Sequence, residues 1–203
     1  MDEITIRLLL LGDSTVGKSS LITRFADNRF EENMTSSIGI NNKFKCIIIN
    51  NQKIKLNIFD TSGQERYHSL AKSYLRRVDG IIFVFDLTND NTFENIRSWL
   101  MESYEVTDNF HKILVGNKLD LEDIQVDTHR VEKLCEKYNM KYFKASAKNG
   151  TNIKELFFEI TKLILDSKQK EEKEIENKIS RKNTKIKLQK EKSKNSKERK
   201  CCK

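Results

Sequence analysis

Along residues 4 to 165 the hydrophobic positions switch between a strand-like and a helix-like spacing. Ile4 to Leu11 is an apolar run that ends at Gly12, and Ser20 to Ala26 follows with helical spacing. Phe44 to Ile49 and Ile54 to Phe59 flank the polar turn Asn50-Asn51-Gln52-Lys53, which predicts a hairpin. In its second arm Ile54, Leu56 and Ile58 alternate with Lys53, Lys55 and Asn57, so one face is solvated. Ile81 to Phe85 and Lys112 to Val115 are short continuous apolar runs, as in strands buried on both faces. Thr92 to Val106, Thr128 to Tyr138 and Ile153 to Leu165 have helical spacing, and Lys141 to Ala145 is a last strand. The order predicts an α/β domain whose six-stranded sheet is mostly parallel with one antiparallel edge strand. In such sheets ligands bind beyond the carboxyl ends of the strands.

After Asp166 the pattern dissolves into Lys, Glu, Asn and Ser. The expected organisation is one domain over residues 1–167 and a disordered tail over 168–203. Charge sharpens that division. The net +8 of the chain is concentrated in residues 168–203, with fifteen Lys/Arg against six Asp/Glu; the rest has 23 against 24. A basic globular face for nucleic acid is therefore not expected. No run of about 18 apolar residues is present, and acidic Met1-Asp2-Glu3 does not read as a signal peptide. A cytosolic chain is expected, in which Cys46, Cys135, Cys201 and Cys202 form no disulfide framework or metal site.

Candidate chemistry falls at the strand ends. Gly12-Asp13-Ser14-Thr15-Val16-Gly17-Lys18-Ser19 fits G-x-x-x-x-G-K-[ST], after a strand and before a helix that continues with Ser20. Glycines let backbone N–H groups converge on phosphate oxygens, and the helix N-terminus adds positive potential. Lys18 would reach the β- and γ-phosphates, and the Ser19 hydroxyl would ligate Mg²⁺. The hairpin's second strand ends in Asp60-Thr61-Ser62-Gly63-Gln64-Glu65. There Asp60 would hold Mg²⁺ through a water, Gly63 N–H would approach a γ-phosphate, and Gln64 would orient an attacking water. Asn117-Lys118-Leu119-Asp120 follows the strand Lys112 to Val115. A carboxylate matches the paired N1–H and 2-amino donors of guanine, a pair adenine lacks, so Asp120 would select the base. Asn117 would tie the loops together, and the Lys118 stem would cover the ring. Ser146-Ala147-Lys148 ends the last strand, and Ala147 N–H would donate to the guanine O6.

With these motifs the chain resembles the Ras superfamily of small GTPases and, within it, the Rab family. Further resemblance lies in Ser37-Ile38-Gly39-Ile40, in residues 55–60, in Gln64-Glu65-Arg66-Tyr67, in residues 79–88 and in the Cys201-Cys202 ending. It implies the three-layer, Ras-like P-loop NTPase fold over about residues 4 to 166. It also implies that Phe30 packs on guanine, that Ser37 ligates Mg²⁺, and that two switch segments, about 28–42 and 61–76, respond to the γ-phosphate. The effector surface would be Ile38, Gly39 and Ile40 with the triad Asn42, Phe59 and Tyr74. The sequence departs from the family pattern at Thr15 (usually Gly or small), Ser37 (usually Thr), Ser62 (usually Ala) and Asn42 (usually aromatic). Loss of the aromatic at Asn42 predicts an altered effector set.

Two adjacent cysteines behind a basic tail suggest double prenylation of Cys201 and Cys202, since two lipid chains give stable anchoring where one does not. The tail would add roughly 1 kcal/mol per Lys or Arg held near an anionic leaflet, and as a flexible coil it would reach about 30–36 Å. Cys46, alternating with Phe44 and Ile48, is expected in the core, as are Cys135 and Trp99. His68, His111 and His129 form no cluster, and Arg76-Arg77 reads as a solvated helix end.

The resemblance thus implies a monomeric, Rab-like GTPase that hydrolyses GTP with Mg²⁺ at the cytoplasmic face of an intracellular membrane. It would cycle with the cytosol and regulate vesicle transport. The resemblance implies an exchange factor, a GTPase-activating protein, a GDP-dissociation inhibitor and effectors. Two rival readings are a hydrolysis-impaired GTP-binding scaffold, prompted by Thr15 and Ser37, and an ATP-dependent P-loop enzyme, against which Asn117 to Asp120 weigh.

Overall fold

The computed structural model describes residues 4–31, 41–60, 74–107 and 110–174, with the side chain of Asn41 outside that set. The chain divides into two compact units, Met1–Ile164 and Leu165–Lys203.

In the first unit the strands are β1 (Ile4–Leu11), β2 (Asn41–Ile49), β3 (Gln52–Asp60), β4 (Gly80–Asp86), β5 (His111–Asn117) and β6 (Lys141–Lys144). They form one sheet in the order β2-β3-β1-β4-β5-β6. Only β2 runs antiparallel, and it occupies an edge. The helices are α1 (Lys18–Asp27), α2 (Asp90–Glu94), α3 (Ile96–Val106) and α4 (Thr128–Tyr138), with helical backbone again over 153–164. This is the mostly parallel α/β sheet that the periodicity predicts, flanked by helices.

Strand alternation sorts the core into two faces. Leu9 and Leu11 of β1 and Ile81, Phe83 and Phe85 of β4 pack with Ile96, Leu100, Val131 and Leu134 from α3 and α4. On the other face Gly80 makes room for Ile160 and Ile164, whose Cδ1 atoms would each lie 3.0 Å from a Cβ there. Phe25 of α1 stacks on Phe157 at a centroid distance of 4.0 Å. β4 is buried along its whole length, so its short apolar run reflects burial on both faces.

Four local features differ from the sequence reading. The hairpin turn is only Asn50-Asn51, both left-handed (φ 51 and 61), so Gln52 and Lys53 belong to β3. Asparagine tolerates that conformation, which matches the twist of the two strands. The helix expected over Thr92–Val106 is split at Asn95 into α2 and α3. Cys46 is exposed rather than in the core, as are its neighbours on the same face, Phe44 and Ile48. The opposite face of β2 turns to α1, where Lys45 donates to Ala26 O at 2.7 Å and Lys43 to the Thr23 hydroxyl at 3.2 Å. Lysine stems cover apolar surface there while their ammonium groups reach polar partners, which inverts the usual alternation. Cys135 is buried, and that burial pushes its thiol up to about 11. In the second unit residues 165–174 are helical, so helical backbone continues past Asp166, where the hydrophobic spacing dissolves. Its Lys, Gln and Glu residues have high helix propensity.

Candidate nucleotide-binding site

The phosphate-loop motif begins where β1 ends. Gly12 has φ +147, and a Cβ there would lie 2.0 Å from the Val84 carbonyl oxygen of adjacent β4. Gly17 has φ +95, and a Cβ there would lie 2.4 Å from Asn117 Nδ2. The two motif glycines thus allow close approach of β4 and of the Asn117 side chain, respectively. Gly17 N-caps α1 without a side-chain cap, and the first turn carries no acidic residue. A helix start of that kind suits an anion. Lys18 is only 3% exposed. Its ammonium donates to Gly12 O and Asp13 O, both at 2.7 Å, and so draws the loop around a positive centre.

Between the glycines Thr15 sits at φ 64. A β-branched residue is strained in the left-handed region, by roughly 1–2 kcal/mol. Thr15→Gly is therefore expected to stabilise the protein. After the greater chain entropy of glycine is counted, the gain is about 0.5–1 kcal/mol. Thermal unfolding at one fixed nucleotide concentration should show a midpoint about 1–4 °C higher. A lower midpoint would contradict the strain argument.

Asn117, at the end of β5 and 2% exposed, joins three loops. Its Nδ2 donates to Val16 O at 2.8 Å, and its Oδ1 accepts from Ala147 N at 3.2 Å. Asp120 accepts a short hydrogen bond from the Ser146 hydroxyl, which fixes its carboxylate beside the Ser146-Ala147-Lys148 loop. Lys118 has φ 66, and its ammonium pairs with Asp86 at 2.6 Å. Asp86, 6% exposed, also accepts from the Thr88 N–H and hydroxyl at 2.9 and 2.8 Å. Arg24 of α1 clamps the same region, with Nε on Ala147 O at 2.8 Å and a second nitrogen on Lys148 O at 2.5 Å. Arg24 and Asp86 are not among the site residues that the motifs single out. Asp86 carried a usable signal, as a buried-strand run ending in a carboxylate; Arg24 carried none, because its partners lie 123 and 124 residues away.

Ser19 and Ser20 lie half-buried in the first turn of α1, Ser14 is exposed in the loop, and Phe30 is half-buried beyond the end of α1. Asp60 ends β3 and is 7% exposed. A hydroxyl and a carboxylate beside a phosphate loop are hard oxygen donors of the kind Mg²⁺ takes, so these residues fit that ion. Asn42 pairs across the hairpin with Phe59, which meets the Tyr74 ring at 5.0 Å, so these three residues are neighbours. Ser37, Ile38, Gly39, Ile40, Gly63, Gln64, Cys201 and Cys202 lie outside the described residues.

Comparison with known proteins agrees with this geometry. The Ras family model matches residues 7–166. The chain is 41% identical over 163 residues to Ras-related protein RAB1BV of Beta vulgaris, covering 79% of this chain and 76% of the relative. Identity to Ras-related protein RABE1d of Arabidopsis thaliana is 40% over 163 residues, with the same coverage of 79% and 76%. Identity to human Ras-related protein Rab-15 is 39% over 171 residues, covering 83% and 81%. With the six-stranded sheet and the phosphate loop at the end of β1, these matches place the chain in the Ras family, among its Rab-type small GTPases.

Proposed function

We propose that the chain is a membrane-attached Rab-type switch that binds GTP and GDP with Mg²⁺, hydrolyses GTP and regulates vesicle transport. The observation that carries the nucleotide half is the Asn117 junction. One side chain links the phosphate loop at Val16 to the Ser146-Ala147-Lys148 loop, beside the fixed Asp120 carboxylate. Phosphate and base recognition are thereby held in one frame.

Lys18 supplies positive charge to the phosphates, and Asp120 accepts the two guanine donors. Lys118 and Phe30 flank the base. Ser19, Ser37 and Asp60 (through a water) would hold Mg²⁺, which when bound offsets charge on the β- and γ-phosphate oxygens. Gln64 would orient the attacking water, and Gly63 N–H would donate to the γ-phosphate. The sequence assigns no arginine to the role of an arginine finger, so turnover alone should be slow, on the order of 10⁻⁴ per second as for Ras itself, a relative. A GTPase-activating protein would supply the missing charge. An exchange factor, a GDP-dissociation inhibitor and effectors complete the expected set of partners, with effector choice shifted by Asn42. The protein would act at the cytoplasmic face of an intracellular membrane, held there by lipid on Cys201 and Cys202. No helix among the described residues is long and apolar enough to cross a membrane.

Flotation on anionic vesicles after treatment with a prenyl donor and transferase tests the anchor. The parent should float and the Cys201→Ser, Cys202→Ser variant should remain in solution; equal flotation would count against lipidation. Single-turnover hydrolysis with an activating protein tests the switch. A chain that binds GTP but never hydrolyses it, even then, would be the scaffold of the rival reading.

A further inference from the structure

Helix α3 reaches the phosphate loop through one side chain. Asp13, the second residue of the loop, spends both carboxylate oxygens on α3 and the residue before it. Trp99 Nε1 donates to its Oδ1 at 2.9 Å, and Asn95 Nδ2 donates to its Oδ2 at 2.7 Å. Asn95 is the residue at which α2 and α3 part, and Trp99 lies one turn further along. The Trp99 ring also packs against the core cluster, so its N–H is aimed by packing and not by Asp13 alone. The Asp13 carbonyl, meanwhile, accepts from the Lys18 ammonium at 2.7 Å. Core packing is thus connected to the phosphate-binding lysine through one residue.

We propose that Asn95 and Trp99 are positioning residues that set the rate at which this loop releases a guanine nucleotide. The inference rests on the phosphate-loop reading given above. A carboxylate in a phosphate-binding loop carries the wrong sign for its ligand. Left loose, Asp13 would sample orientations that face the bound phosphates and compete for the Lys18 ammonium. Two N–H donors, from Trp99 of α3 and from Asn95 just before it, hold the charge away from the phosphates, and they orient the Asp13 carbonyl on Lys18. Charge-assisted hydrogen bonds of this kind are stronger than neutral ones. The arrangement also makes α3 a path by which a protein docked on that helix would alter nucleotide release. Because Trp99 is the sole tryptophan of the chain, its emission reports on the Asp13 contact directly.

The test is the dissociation rate of a fluorescent GDP analogue from the full chain, measured for the parent, Trp99→Phe, Asn95→Ala, Asp13→Ala and the two double variants with Asp13→Ala. Trp99→Phe and Asn95→Ala are each expected to release the analogue about tenfold faster. In the Asp13→Ala background the same changes should have no further effect, because their shared partner is gone. Trp99 emission should differ between parent and Asp13→Ala. Asn95→Ala removes no core packing, so it keeps the test decisive if Trp99→Phe folds poorly. Parent-like release from both single variants would overturn the proposal. So would equal acceleration with or without Asp13, which would mean that Trp99 and Asn95 act through packing alone. A parent that binds no GDP analogue would instead refute the underlying nucleotide reading, and this proposal with it.

Discussion

Replacing Asp120 by asparagine is expected to weaken GDP binding by about 10²- to 10³-fold, roughly 3–4 kcal/mol. The carboxylate accepts from both guanine donors; an asparagine offers one neutral acceptor and turns a second donor toward the 2-amino group. Ser146 can still donate to the amide oxygen that replaces the carboxylate oxygen it now meets, so the loop should persist and the effect should fall on ligand choice. A nucleotide of xanthine carries a carbonyl at position 2 and accepts from the new amide. The variant should therefore prefer xanthosine diphosphate over GDP. Calorimetric titration of both nucleotides into parent and variant checks this; parent-like affinity for GDP would mean that another group selects the base.

Gly12→Ala should be the most damaging single change to the fold. The new methyl would stand 2.0 Å from the Val84 carbonyl oxygen, at a φ of +147 that L-residues rarely adopt. Neither β1 nor β4 can yield, since both lie in the middle of the sheet with fully buried neighbours. A loss of about 4 kcal/mol or more is expected, which lowers the thermal midpoint by about 10 °C or prevents accumulation of folded protein. Gly150→Ala is the internal comparison. Its φ is +85, but a Cβ there would meet nothing closer than Arg24 Cδ, at an ordinary 3.8 Å, beyond its chain neighbours, so the cost should be only the left-handed strain of about 1–2 kcal/mol. Equal losses at the two positions would show that backbone conformation, and not the β4 contact, sets the penalty.

How much of this was legible in the sequence depended on how local the cause was. Helix α4 falls on the expected residues because its ends are signalled locally: Asp127 accepts from His129 N at 2.9 Å, and Asn139 takes the left-handed C-cap at φ 50. The buried strands β4 and β5 were visible as continuous apolar runs. The edge strand β2 misled, because lysine stems cover α1 while Phe44, Cys46 and Ile48 face outward. Alternation shows that two faces exist, but it does not say which one meets the core when the inner face carries long amphipathic chains. In the site the contiguous motifs were readable. The contacts that hold them together were not: Arg24 to Ala147, Lys118 to Asp86, and Trp99 and Asn95 to Asp13. Each joins residues that the fold brings together from distant parts of the chain or from separate elements. Trp99 shows the difference most clearly. Its spacing marks a core residue, and its ring does pack on the core; only the folded chain shows the indole N–H on the phosphate loop.

One frame, joined at Asn117, is expected to hold both the phosphates and a guanine base. Competition for a bound fluorescent GDP analogue, in the presence of Mg²⁺, tests it most directly. GTP and GDP should each displace the analogue, while ATP at about a thousandfold excess should leave it bound, because adenine lacks the donor pair that Asp120 accepts. Displacement by ATP at concentrations similar to those of GTP would contradict the account.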